Sequence, residues 1–157
     1  MNNKIPIIVL VVFVAFASIQ MSFAAGEYAE IISVSTSDNE VSPDVGSVSA
    51  SVNGGGDLII NVYNSYPGYE AYVDFTVENT DEDVTLYLAE IDIDNIYSGV
   101  ELDVTVTYPD GTDIPDDYEL GPGETMDCMV TITLLSAAVE TQSYGFSIDL
   151  NASAGGN

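Results

Sequence analysis

Apolar and polar residues alternate one by one through several stretches of this chain. The two clearest stretches are EAYVDFTVE, from Glu70, and TMDCMVTITL, from Thr125. A period of two, rich in β-branched and aromatic residues, is typical of a strand that buries one face. The predicted inward residues are Ala71, Val73, Phe75 and Val77 in the first stretch, and Met126, Cys128, Val130, Ile132 and Leu134 in the second.

Six further stretches favour strands: SYGFSIDLN, VELDVTVTY, DLIINVY, DVTLYLAEIDI, SVSASV and EIISVSTS. Turn-forming sequences such as NGGGD, NTDED, YPDGTD and LGPGE separate them. After Ala25 no segment sustains an apolar period of 3.6 residues. LLSAAVETQS, from Leu134, could hold one short helical turn, but its apolar residues fit the end of a strand better. We therefore predict an all-β protein, an immunoglobulin-like or jelly-roll-type sandwich of about 7–9 strands.

The N-terminus has the layout of a secretory signal. Lys4 precedes an apolar run over residues 5–19, and Ser22 and Ala24 fit the positions before a cleavage site. We expect residues 1–24 to be removed, leaving an N-terminal strand and polar linker over 25–44, a sandwich domain over 45–154 and a tail over 155–157. An uncleaved anchor and a pilin-type leader cut near Lys4 remain alternatives.

The predicted secreted chain carries no positively charged side chain. The whole sequence has 26 Asp or Glu, no His and one Lys or Arg, which is Lys4. Nucleic acids and anionic membrane surfaces are therefore excluded as expected partners, because nothing can pair with a phosphate. Ion pairs between side chains are also impossible after residue 24. Such a chain must tolerate its own repulsion, which salt should relieve.

Composition also argues against catalysis. Without His, Lys or Arg after residue 24, the chain has no Ser-His or Cys-His pair, no phosphate clamp and no His-based zinc site. Cys128 is in phase with the inward residues of its stretch, so we predict a buried small hydrophobe. The only catalytic group that remains is a pair of carboxylates, and in a chain with 26 acidic residues such pairs occur by accident. We therefore predict a protein that is not an enzyme.

Calcium is the one metal that the sequence favours. Ca²⁺ prefers six to eight oxygen ligands, and DGTDIPDDYE supplies five carboxylates, although it does not match the EF-hand pattern. The predicted ligands are Asp110, Asp113, Asp116, Asp117 and Glu119. The alternative is a set of solvated acidic turns. A separate modification site is predicted at Asn151, the acceptor of the sequon Asn-Ala-Ser.

EYAEIISVST, from Glu27, is β-prone and lies just after the predicted cleavage site. The polar stretch TSDNEVSPDVGS connects it to the rest of the chain. A strand on such a tether can pair with its own sheet or with the edge of a neighbouring copy. The predicted contacts with a neighbour are Tyr28, Ile31, Ile32 and Val34, together with Tyr72, which is expected to be exposed on the outer face of its strand.

Three segments resemble the TasA/camelysin-type secreted β-sandwich proteins, which include archaeal pilus-like fibre subunits. The first is YPGYEAYVDFTVENT, and the others are LGPGETMDCMVTITL and SYGFSIDLNA, which look like the last two strands of that domain. The resemblance covers roughly residues 45–154. It implies a subunit of an extracellular fibre, in which the N-terminal strand of one subunit can complete the sheet of the next. The metalloprotease activity linked with camelysin is not carried over, because this chain has no His.

Together these observations predict a secreted structural protein at the cell surface. Its expected partners are copies of itself in a filament or surface layer, and other cell-surface components. A calcium-dependent adhesin or carbohydrate-binding module is the alternative, since exposed Tyr could stack on sugar rings and the acidic loops could hold the ion.

Overall fold

The computed structural model describes residues 29–39 and 46–154, and only the backbone of Ala89 and Glu90. The predicted signal peptide, residues 25–28 with Tyr28, residues 40–45 of the polar linker and residues 155–157 lie outside the described residues. The described part forms no helix. Its strands are β1 (Ala29–Asp38), β2 (Ser47–Val52), β3 (Leu58–Tyr63), β4 (Glu70–Asn79), β5 (Leu86–Asp94), β6 (Leu102–Thr107), β7 (Tyr118–Leu120), β8 (Thr125–Leu134) and β9 (Tyr144–Ala154).

These nine strands form two antiparallel sheets. One sheet has the order β1-β4-β8-β6, and the other has the order β2-β3-β9-β5-β7. Only β2 and β3 form a hairpin within one sheet, while every other connection between consecutive strands crosses to the opposite sheet. The prediction of an all-β fold built from two packed layers is confirmed.

The predicted alternation of apolar and polar residues correctly identifies the core residues of β4 and β8. In β4 and β8 all nine predicted inward residues are buried, and the residues between them face outward or are half-buried. The facing sheet contributes alternate residues of β3 and β9 in the same way. These are Leu58, Ile60, Val62, Tyr144, Phe146 and Ile148. Period-two burial on both sheets gives a single core between the layers.

A local two-fold relationship links β4 and β8, which pair side by side in antiparallel register. A Pro-Gly turn precedes each strand, and each glycine has a positive φ, 91° at Gly68 and 68° at Gly123. Each glycine donates its N–H to the last residue of the other strand, to Leu134 O at 2.9 Å and to Asn79 O at 3.0 Å respectively. The repeated Pro-Gly motif therefore caps both ends of one central strand pair.

The strand directions assign the loops to two ends of the sandwich. Residues 64–69, 95–101 and 135–143 lie at one end, together with the end of β1. Residues 53–57, 80–85, 108–117 and 121–124 lie at the other end, together with the start of β1.

The eight predicted strand stretches are confirmed, and one strand was missed. β7 has three residues, which is too short for alternation to be recognised, and it pairs only with residues 86–88 of β5. The segment after Leu134 forms turns rather than a helical turn. Its polar residues leave too few apolar positions for a helix to bury.

Candidate functional site

β1 is the edge strand of its sheet and pairs in cis with β4. The ladder runs from Ala29 opposite Asn79 to Asp38 opposite Ala71. β2 lies beside β1 but belongs to the opposite sheet, so these two edge strands close one side of the sandwich. The other long edge of β1 has no strand partner among the described residues.

A β-bulge divides β1 into two parts. The register shifts between Ile31 and Ser33, so Ile32 is the extra residue and its side chain is exposed. Ile31 and Val34, on either side of the bulge, both pack against the core, although each is only half-buried. Without the bulge, the odd spacing of Ile31 and Val34 would put them on opposite faces of the strand.

The N-terminal strands contribute little to the fully buried core. Every buried hydrophobic residue among the described residues lies at Leu58 or later in the chain. No residue of β1 or β2 is buried, and their apolar side chains cover the core only partly. β1 is therefore attached mainly by its main-chain ladder and by half-buried contacts. Removal of β1 would therefore expose no fully buried side chain of its own.

The end of β1 is fastened by a buried tyrosine. Tyr69 is fully buried, and its hydroxyl donates to Asp38 Oδ2 at 2.8 Å. Gly46, at the start of β2, lies against the same ring, since a Cβ there would be 2.4 Å from the ring. Asn39 accepts from the Glu70 N–H through its side chain at 3.1 Å. The chain on both sides of the linker is thus held close to Tyr69.

Tyr72, the predicted contact residue on β4, is half-buried rather than exposed. Its strand pairs on both sides, with β1 and with β8, and these neighbours cover part of its ring. The hydroxyl donates to Glu70 Oε2 at 3.0 Å. Loss of hydration and this carboxylate raise the pKa of the Tyr72 phenol, which keeps it neutral. Part of the side chain remains accessible, so its role in an interface stays a prediction.

A row of hydrogen-bonded side chains crosses the outer face of the same sheet. Ser33 Oγ donates to Thr76 Oγ1 at 2.9 Å, and that hydroxyl donates to Asp127 Oδ1 at 2.7 Å. The row therefore joins β1, β4 and β8. On the same face, loss of hydration and then the charge of Asp127 raise the pKa of Asp74.

The five predicted calcium ligands do not form one loop. Asp110, Asp113, Asp116 and Asp117 lie between β6 and β7, and all four are exposed, whereas Glu119 belongs to β7. Nowhere in residues 29–39 and 46–154 do three acidic or Cys side chains come together in a group that could hold a metal ion. The described structure therefore gives the calcium prediction no support.

The acidic turns have a structural explanation. Asp110 Oδ1 accepts from the hydroxyl of Thr112 at 2.6 Å and from its N–H at 3.0 Å, and these bonds lower the pKa of Asp110. Asp81 Oδ1 likewise accepts from the N–H groups of Asp83 and Val84, at 2.7 and 2.8 Å. Short acidic side chains that accept from the backbone two or three residues later are a common way to build turns.

The remaining predicted sites lie in strands. Cys128 is buried, as predicted, and burial together with the charge of Asp127 raises the pKa of its thiol to about 12, which is far from a reactive thiolate. Asn151 is exposed on β9, so its side chain is accessible and glycosylation stays a prediction.

Two structurally important residues were not identified from the sequence. One lies beside the end of β1, and the other lies at the opposite end of the sandwich. Tyr69 fastens β1, although the pattern suggested only a residue beside a turn. Asn79 is fully buried, and its Nδ2 donates to three carbonyl oxygens at 2.8–3.1 Å, those of Val84, Leu120 and Gly121. Asn79 is in phase with the inward residues of β4, which is the one signal that could have identified it.

No helix in the described ranges is long and apolar enough to span a membrane. Comparisons with protein-family models, with curated proteins and with solved structures found no match for this chain. The resemblance to TasA/camelysin-type proteins therefore rests on the sequence motifs alone and stays a prediction.

Proposed function

We propose that this protein is a secreted, non-enzymatic structural subunit of an extracellular filament or cell-surface layer. In the assembly, β1 of one copy leaves its own sheet and pairs with β4 of the next copy. We also propose that the two-layer fold is of the immunoglobulin-like or jelly-roll type. The sequence motifs shared with TasA/camelysin-type proteins agree with this proposal.

One observation carries it: the buried hydrophobic core begins at Leu58, so β1 can leave without taking a buried side chain with it. Its ladder with β4 would form equally well in trans, because main-chain hydrogen bonds do not distinguish one copy from another. We predict from its polar sequence that TSDNEVSPDVGS acts as the tether that lets β1 reach a neighbour. Strand exchange of this kind is a low-cost route to assembly.

Deletion of residues 25–35 tests the proposal. We expect the shortened chain to stay folded, since the core from Leu58 onward is retained, and to form no polymers in electron micrographs. A matched control replaces Ile32 by Ser, which keeps the strand and changes only the exposed bulge residue. Normal filaments from the shortened chain would contradict the proposal, and so would complete unfolding of that chain.

A further inference from the structure

Exposed hydrophobic side chains are concentrated at one end of the sandwich. Among the described residues five large hydrophobic side chains are exposed, and four of them lie at the end that contains residues 64–69, 95–101 and 135–143. These four are Tyr63 (42%), Ile96 (83%), Val100 (65%) and Val139 (52%), which we call the apolar end patch. The fifth is Ile32 (41%), in the bulge of β1.

The loops that carry the apolar end patch are joined to one another. Leu135 N–H donates to the Glu101 carbonyl at 2.9 Å, which links the loop of Val139 to the loop of Ile96 and Val100. Thr141 N–H donates to the Ser65 carbonyl at 2.9 Å, which links the same loop to the segment after Tyr63. A surface held in this way loses little conformational freedom when it is covered by a partner.

Acidic residues are concentrated in the loops at the other end of the sandwich, away from the apolar end patch. The three described loops at the patch end contain two acidic residues, Glu101 and Glu140. The four loops at the other end contain nine: Asp57, Asp81, Glu82, Asp83, Asp110, Asp113, Asp116, Asp117 and Glu124. The patch end is therefore poorer in loop carboxylates than the opposite end, although Glu101 and Glu140 directly follow Val100 and Val139 and the end of β1 adds Asp38. The whole chain has a net charge of −25.

We propose that the apolar end patch is a contact surface for a second copy of this chain, and that two copies meet end to end through the same patch. Beyond Lys4 no side chain carries a positive charge, so two copies cannot be joined by ion pairs. Their repulsion is smallest where carboxylates are fewest, and burial of the patch supplies the attraction there. A basic partner would instead be drawn to the acidic end, and an anionic membrane would be repelled.

This contact is separate from strand exchange. It uses loop residues rather than the β1–β4 ladder, and a two-fold contact closes on itself after two copies. Four side chains cover less area than a standard stable interface, so the dimer is expected to be weak. Added salt should strengthen it, because salt screens the repulsion between two highly acidic copies.

Sedimentation equilibrium of the purified protein, over a range of concentrations in low NaCl and in about 1 M NaCl, tests the proposal. We expect a reversible dimer that tightens with salt. The double variant Ile96→Ser with Val139→Ser should weaken dimerisation by about tenfold or more. Ile32→Ser removes the fifth exposed hydrophobic side chain and should leave the dimer unchanged.

A second measurement, disulfide cross-linking, does not depend on whether the serine variants change the stability of the fold. Ile96→Cys places a thiol on the most exposed side chain of the patch, and mild oxidation should give a disulfide-linked dimer at a higher rate in high salt. Three results would overturn the proposal: a monomer under all conditions, a dimer that is unaffected by the double variant, or a dimer that is lost on deleting residues 25–35. Binding of the patch to zwitterionic phosphatidylcholine vesicles without self-association would also overturn it.

Discussion

At the scale of single residues, the polar group that matters most to the fold is Asn79. Its side chain donates to three carbonyl oxygens and accepts from the Asp81 N–H at 3.0 Å, while its backbone pairs with Gly123 and Glu124. The residue therefore fastens the end of β4 to the two loops that follow β4 and β7. The bond from Asn79 Nδ2 to the Leu120 carbonyl is buried and the other side-chain bonds are partly buried, so water replaces them only in part when they are lost.

We predict that Asn79→Ala lowers the free energy of unfolding by at least about 2 kcal/mol, since buried carbonyl groups lose their donor. Asn79→Asp should be at least as damaging, because it removes the donor and places a carboxylate in the core. Urea denaturation is the measurement. Asn151→Ala, at an exposed asparagine of β9, is the control and should change stability by less than about 0.5 kcal/mol. Equal effects of the two alanine variants would contradict the role assigned to Asn79.

Asp74 gives a pH-dependent prediction. Its pKa is raised in the folded protein by loss of hydration and by Asp127, so the ionised form costs stability at neutral pH. The cost disappears as pH falls through the raised pKa and then through the ordinary value near 3.8. Asp74→Asn should therefore stabilise the protein at pH 7, by at most about 1 kcal/mol because solvent screens the pair.

Thermal melting at several pH values measures the effect of Asp74→Asn. Glu82→Gln, in an exposed turn, also removes one negative charge and controls for the general fall in repulsion. The Asp74 variant should exceed this control at pH 7 and match the wild type at pH 3. A gain that persists at pH 3 would show that the cause is not ionisation.

At the scale of elements, the two Pro-Gly turns are expected to behave as equivalents. A Cβ at Gly68 or Gly123 would meet nothing within 4 Å, so only the positive φ limits substitution. We predict that Gly68→Ala and Gly123→Ala each cost about 1–2 kcal/mol. Replacement by Asn, which tolerates the left-handed region, should recover part of that loss. Chemical denaturation of the four variants would contradict the account if Ala and Asn were equal.

The strands could be predicted from the sequence because each buries one face against the core. Burial of one face produces an alternation of apolar and polar residues that is visible within a few neighbouring residues. Tyr69 could not be placed in this way, because its surroundings include Asp38 and Gly46, which lie 31 and 23 residues earlier in the chain. The arrangement of the predicted calcium ligands could not be predicted for a similar reason. The sequence shows how many carboxylates are near one another along the chain, but not that β7 separates Glu119 from the others or that backbone groups occupy Asp110.

At the scale of the whole molecule, the net charge of −25 is expected to destabilise the folded chain through self-repulsion. We predict that the melting temperature rises with NaCl, because screening relieves repulsion among the carboxylates. CaCl₂ and MgCl₂ at equal concentration should raise it equally, since no group of three acidic residues gathers in the described structure. Two results together would contradict the prediction of equal effects and favour the calcium-dependent adhesin. CaCl₂ would raise the melting temperature more than MgCl₂ does, and the double variant Asp113→Asn with Asp116→Asn would abolish that difference.

Cysteine cross-linking tests the central claim, that β1 pairs in trans, most directly. Ser33 and Thr76 are paired across the β1–β4 ladder and their hydroxyl groups are in contact, so cysteines at both positions can form a disulfide. Two single variants, Ser33→Cys and Thr76→Cys, are mixed under assembly conditions and oxidised, in the Cys128→Ala background. We predict covalent dimers that contain one copy of each variant. If the mixture stays monomeric while the double variant cross-links within one chain, β1 remains in cis and the proposed assembly is wrong.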